Sequence, residues 1–193
     1  MGIFDFFKSS NNKTEKLADK APPIPKEVAR WADKAADKRA QNYDRIEAIA
    51  ALADLGTVEA VAALLKRFNF VMDPSITDQE EKQIAFDGIC EVGKDALEPV
   101  RKYVKKAESV GWPMKIAKKL LDEEEYVGEL LVWLKPWDTE YAKFIDPKVQ
   151  ILAALEELKD PRVRAAITDY LYDVNETARF HAVGATLFQD DAE

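Results

Sequence analysis

The sequence predicts an all-α protein built from successive helix hairpins, and three observations carry that prediction. Apolar residues recur at helical spacing from about Lys26 onward, no stretch shows strand-length alternation bounded by hairpin turns, and the chain resembles itself every few tens of residues. IAALADLGTVEAVAALL (49–65) lies over LAALEELKDPRVRAAIT (152–168) without a gap, Leu52 over Leu155 and Leu55 over Leu158. IAFDGICEVGKDALEPVRKYV (84–104) and KIAKKLLDEEEYVGELLVWL (115–134) repeat the plan, so that turns near Gly56, Gly93, Asp122 and Asp160 are spaced by 37, 29 and 38 residues. Such periods suit stacked helix pairs. One pair alone buries too few large apolar side chains, at roughly 1.5–3 kcal/mol each, to offset roughly 1–2 kcal/mol of backbone entropy per ordered residue. Stacking covers both flanks of each pair.

Residues 1–25 differ in kind from the rest. The octet Met1 to Lys8 holds Ile3, Phe4, Phe6 and Phe7, and it is followed by SSNNKTEKLADK and APPIP, compositions with little to bury. This reads as a flexible tail with an apolar tip, followed by a folded domain over 26–193. Within the domain, Thr77-x-x-Glu80 has the spacing of a capping box and predicts a helix start, with Ile84, Ile89 and Val92 on its apolar face. Gly93 ends that helix, and Leu97, Val100 and Val104 begin the return. Asp146-Pro147 and Asp160-Pro161 each read as an aspartate N-cap followed by proline at the first helical position. Asn175 begins a last helix.

The segments DPRVRAAI (160–167), DPKVQILAAL (146–155) and NETARFHAV (175–183) resemble the Asp-Pro-x-Val-Arg-x-x-Ala pattern of HEAT-like repeats, the type also found in phycobilin lyase subunits. GKDALEPVRKYV (93–104) is similar to the return-helix start of the same repeats, and the resemblance covers about residues 40–190. It implies an α-solenoid of about four to five stacked HEAT-like helix pairs, a fold whose members mostly bind protein partners. Gln150 departs from the arginine of the pattern, and the aromatic-rich connection 135–145 predicts an irregular junction.

Composition narrows the chemistry. With 193 residues, 47% apolar and 33% charged, the chain has material for a core. No apolar run approaches the ~18 residues of a membrane span, so no integral membrane segment and a cytoplasmic location are expected. One cysteine and one histidine supply neither an internal disulfide nor a four-ligand zinc site, and no cofactor is expected. His181 lies between Phe180 and Ala182 as a packed or surface residue, and Cys90 sits in apolar surroundings that raise a thiol pKa. Glu123-Glu124-Glu125, Glu156-Glu157 and Asp190-Asp191 read as solvated faces, because adjacent helical residues point about 100° apart. No catalytic or metal residues are assigned, and a non-enzyme is expected.

The net charge of −8 argues against nucleic acid, yet it is uneven: 94–119 carries 8 basic and 3 acidic residues, and 120–193 carries 7 and 17. A basic binding surface is therefore a candidate, made of Lys66, Arg67, Arg101, Lys102, Lys105, Lys106, Lys115, Lys118 and Lys119. Trp133, Trp137 and Tyr141 form a candidate aromatic interface, and Ile3, Phe4, Phe6 and Phe7 a candidate N-terminal docking motif, with weak self-association through the tail. The function expected is a non-enzymatic HEAT-repeat protein-interaction scaffold or adaptor. The alternative is binding of nucleic acid or another polyanion through a basic groove in the middle repeats.

Overall fold

The computed structural model describes residues 24–190. Among them lie ten α-helices, three short 3-10 turns and no strand. In chain order the helices are α1 (Lys26–Ala35), α2 (Asn42–Leu55), α3 (Val58–Leu64), α4 (Ser75–Glu91), α5 (Leu97–Val104), α6 (Gly111–Leu120), α7 (Glu123–Leu134), α8 (Asp146–Leu155), α9 (Pro161–Ile167) and α10 (Glu176–Asp190). In one layer α2 packs on α4, α4 on α6, and α8 on α10; in the other, α1 packs on α3, α3 on α5, and α7 on α9. Four successive helix pairs, α2/α3 to α8/α9, thus stand between α1 and α10.

The internal likeness of the sequence is a likeness of structure. An offset of 103 residues carries α3 onto α9 and the 3-10 turn Leu65–Asn69 onto the 3-10 turn Thr168–Tyr172. The same offset lays the buried row Ala48, Ile49, Leu52 over the buried row Ile151, Leu152, Leu155. Gly56 (φ +56°) and Gly93 (φ +74°) close α2 and α4 in the left-handed region, where a Cβ is strained. Asp160 caps α9 by accepting the Arg162 N–H at 2.8 Å, and Asn175 caps α10 by accepting that of Ala178 at 2.9 Å. Asp122 and Glu125 form a reciprocal capping box at the start of α7. α10 buries Ala178, Ala182 and Ala185 and turns Phe180, Val183 and Leu187 outward.

Two expected helix starts differ. α4 begins at Ser75, not at Thr77, and the Thr77-x-x-Glu80 box does not form. Asp78 instead turns inward, where its carboxylate accepts the Met72 N–H. α8 begins at Asp146 itself, with Ile145 as N-cap and no side-chain cap. The junction 135–145 is irregular, as expected: its turn is held by the Asp138 carboxylate, which accepts the N–H groups of Glu140 and Tyr141.

The core also holds charge. Arg45 on α2 donates from Nε and Nη2 to Glu81 on α4, at 3.0 and 2.7 Å, and from Nη1 to the Ala40 carbonyl. Arg67 donates to the same Glu81 and to Asp78, which also takes Lys82 at 2.7 Å. All five side chains are buried. Burial alone would raise the two carboxyls. Hydrogen bonds from Lys82 and Arg67 to Asp78, and from Arg45, Asn42 and Arg67 to Glu81, more than offset it, so both titrate below the usual range. The arrangement recurs at the 103-residue offset: buried Lys148 occupies the place of Arg45, donates to the Asp138 carbonyl at 2.9 Å and pairs with buried Asp173 at 2.5 Å.

Candidate functional site

An apolar recess in contact with the predicted site residues lies between α5 and α7. α5 buries Leu97, Val100 and Val104 and presents Glu98, Arg101 and Lys102 on the opposite face, with Lys105 just beyond its last turn. α7 buries Tyr126, Val127, Leu130, Trp133 and Leu134 and leaves Val132 64% exposed. Ion pairs bridge the two elements. Arg101 grips Glu129 with two parallel bonds, Nε at 2.8 Å and Nη2 at 2.7 Å, and Lys94, on the 3-10 turn that leads into α5, reaches Glu125 at 2.7 Å. The recess is about 270 Å³, walled by Val104, Val132, Trp133, Pro136 and Trp137 and edged by Glu98, Arg101, Lys102 and Lys105.

The walls are fixed from behind. Glu129 is buried, and besides the Arg101 fork it accepts the Trp133 indole N–H at 2.7 Å. One carboxylate thereby sets the indole plane and ties it to α5. The charged groups here hold a surface in place, because each acid faces a base that neutralises it: Arg101 with Glu129, and Lys102 with Glu98 at 3.3 Å.

The structure divides the predicted basic surface. Arg67 is a correction: it is fully buried, its guanidinium taken by Glu81 and Asp78 and lying 4.4 Å over the Phe70 ring. Arg101, Lys102 and Lys105 share the α5/α7 recess. Lys106 borders a different hollow with Phe68, Tyr103 and Glu108, and Lys66 is exposed on the turn after α3. Lys115 lies 4.2 Å over the Trp112 ring, which itself stacks on Phe68 at 5.2 Å. Lys118 and Lys119 are exposed on α6, which packs on α4 in the other layer. The nine cations do not line one groove.

Of the aromatic candidates, Trp133 and Trp137 meet in the recess, whereas Tyr141 is 76% exposed on the connection and takes no part in its walls. The docking motif Ile3, Phe4, Phe6 and Phe7 lies outside the described residues. Cys90 is half-buried, and burial pushes its thiol up to about 11. His181 Nδ1 stands 2.7 Å from Glu156, the residue that follows α8. Among the described residues no three His, Cys, Asp or Glu side chains group as a metal site, and no helix is long and apolar enough to cross a membrane.

Helices in register, repeated at a fixed offset with their caps and buried rows, define the class: an all-α helical-repeat protein. Residues 44–69, which span most of α2, α3 and the following turn, match the family model described as the PBS lyase HEAT-like repeat. The chain thus carries a HEAT-like repeat. No curated protein and no solved structure matches the chain.

Proposed function

We propose that this chain is a non-enzymatic protein-interaction scaffold and that the α5/α7 groove is its contact surface. The observation that carries this reading is the meeting of two tryptophan walls and an exposed Val132 with a charged edge in which Glu129 is taken by Arg101 and Trp133 and Glu98 by Lys102. Aromatic anchors in a dehydrated pocket surrounded by charge are the usual seat of binding energy between proteins. The volume agrees with this: about 270 Å³ falls below the roughly 300–1,000 Å³ of small-molecule and cofactor sites and suits one or two side chains of a partner. A HEAT-like repeat supports the same reading, since repeat stacks offer extended surfaces.

The test is affinity capture by the full chain compared with Val132→Glu, a change at an exposed position that leaves the core intact. Recovery of specific proteins should fall about tenfold, with the far-ultraviolet circular dichroism unchanged. Equal recovery by both chains, or turnover of a substrate by the parent, would sink the proposal.

A further inference from the structure

A second hollow opens where the turn after α3, the end of α5 and the start of α8 meet, and it shares no lining residue with the α5/α7 groove. Its volume of about 540 Å³ falls within the roughly 300–1,000 Å³ of small-molecule sites. Phe68, Phe70 and Tyr103 supply aromatic walls, and Lys106, Glu108 and Asp146 supply the charges.

The walls are held from outside the hollow. Phe68 stacks on Trp112 at 5.2 Å, Phe70 lies against the Arg67 guanidinium at 4.4 Å, and the Tyr103 hydroxyl donates to Asn69 Oδ1 at 2.8 Å. One face of Phe68 and one of Phe70 are thereby taken, so each ring offers the hollow its other face or its edge. Gln150 ties the connection that carries Lys106 and Glu108 to α8: its Oε1 accepts the Val110 N–H at 2.7 Å, and its amide donates to Ser109 at 3.0 Å. The arginine that the repeat pattern has at this place could not accept that bond and would bring a further cation to the neighbourhood.

The balance of charge is negative. Two carboxylates, Glu108 and Asp146, stand against one ammonium, Lys106; all three residues are exposed, and among the described residues none of them has an ion-pair partner. The positive end of α8 offsets part of the charge of Asp146, its first residue, which leaves Glu108 as the stronger anchor. Tyr103 adds no charge, because burial, with Glu108 nearby, pushes its phenol up to about 12. Aromatic faces carry the negative end of a quadrupole, so the rings and the carboxylates favour a cation together, and the −8 of the whole chain favours one at longer range. An anion would find Lys106 alone.

We infer that this hollow is a binding site for a small organic amine, its protonated ammonium head held by Glu108 and Asp146 and its apolar body laid against Phe68, Phe70 and Tyr103. The site is additional to the contact surface on α5 and α7 and does not rest on it.

The experiment titrates the isotope-labelled full chain with two probes of like body and opposite charge, phenethylamine and phenylpropionate, and follows the backbone amide resonances. Phenethylamine should saturate with shifts centred on Asn69, Phe70, Tyr103, Lys106 and Ser109, and phenylpropionate should bind about fivefold more weakly or not at all. Glu108→Gln should weaken phenethylamine about fivefold and Lys106→Gln should tighten it about twofold, both at exposed positions that leave the fold intact. These opposite signs are what charge recognition requires; a merely sticky apolar hollow would show neither. The affinity of the parent chain should also fall as salt is raised. Equal binding of the two probes, shifts centred elsewhere, no shift at the solubility limit of phenethylamine, or an affinity unchanged in Glu108→Gln would each overturn the inference. The same head also occurs on lysine side chains, so a blocked lysine tripeptide forms a third arm. Weaker binding of the tripeptide than of phenethylamine supports a free amine as the ligand, and tighter binding would overturn that assignment. Loss of captured proteins in Val132→Glu is independent of all these outcomes.

Discussion

At Gly88 the approach of α4 to α2 depends on a missing side chain. A Cβ built there would stand 2.4 Å from the Ala53 Cβ and 2.9 Å from its Cα, so the helices would have to part. Gly88→Ala is expected to destabilise the chain by about 1–3 kcal/mol through overpacking. Gly128 on α7 is the control, because a Cβ there would meet only the movable end of Arg162, at 3.4 Å. Gly128→Ala should be neutral or stabilise by up to about 1 kcal/mol, the usual gain from removing a helical glycine. Urea unfolding of the two variants beside the parent checks this; equal midpoints for both would mean the α2 to α4 approach is looser than described.

Across whole helices, the buried charges decide stability. Removing Glu81 leaves Arg45 without a carboxylate in the core and Arg67 with Asp78 alone, and Glu81→Gln should cost about 3–5 kcal/mol. The pH dependence follows from the direction of the shifts. Asp78 and Glu81 titrate lower in the fold than in the unfolded chain, so their contribution is complete above the ordinary carboxylate range, about pH 4. It is lost as pH falls through that range toward their depressed values. Urea midpoints should be level from pH 7 to 5 and drop steeply toward pH 3, with a shallower drop in Glu81→Gln; an unchanged slope in the variant would count against the network. The same charges show where sequence reading fell short. Gly56, Gly93, Asp160-Pro161 and the 103-residue offset made the hairpins legible, since turns and caps are local chemistry. Arg67 read as a surface cation because its partners stand 11 and 14 residues away on another helix. A usable signal was present in the register: Arg45 sits three, four and seven residues before Ala48, Ile49 and Leu52, and Lys148 stands likewise before Ile151, Leu152 and Leu155. Glu129 is similarly flanked by Tyr126, Leu130 and Trp133. A charge on the core face of a helix signals a buried partner.

For the molecule as a whole, the placement of cations weighs against the polyanion alternative. The groove draws Arg101, Lys102 and Lys105 together with Trp133 and Trp137, which only the separation of α5 from α7 could reveal, while α6 and the core take other members of the basic set. With a net charge of −8, no retarded band is expected in a gel shift with DNA or RNA at about 20 mM salt, where phosphate contacts are strongest. A salt-sensitive band abolished by reversing Lys105, Lys106 and Lys119 would restore that alternative. The clasps impose a further order. Arg45 takes its carboxylate from 36 residues downstream and Lys148 from 25 residues downstream. During synthesis neither cation can be answered in a dry interior until the segment that carries its carboxylate has left the ribosome, so the α2/α3 and α8/α9 pairs each wait on the stretch of chain that follows them.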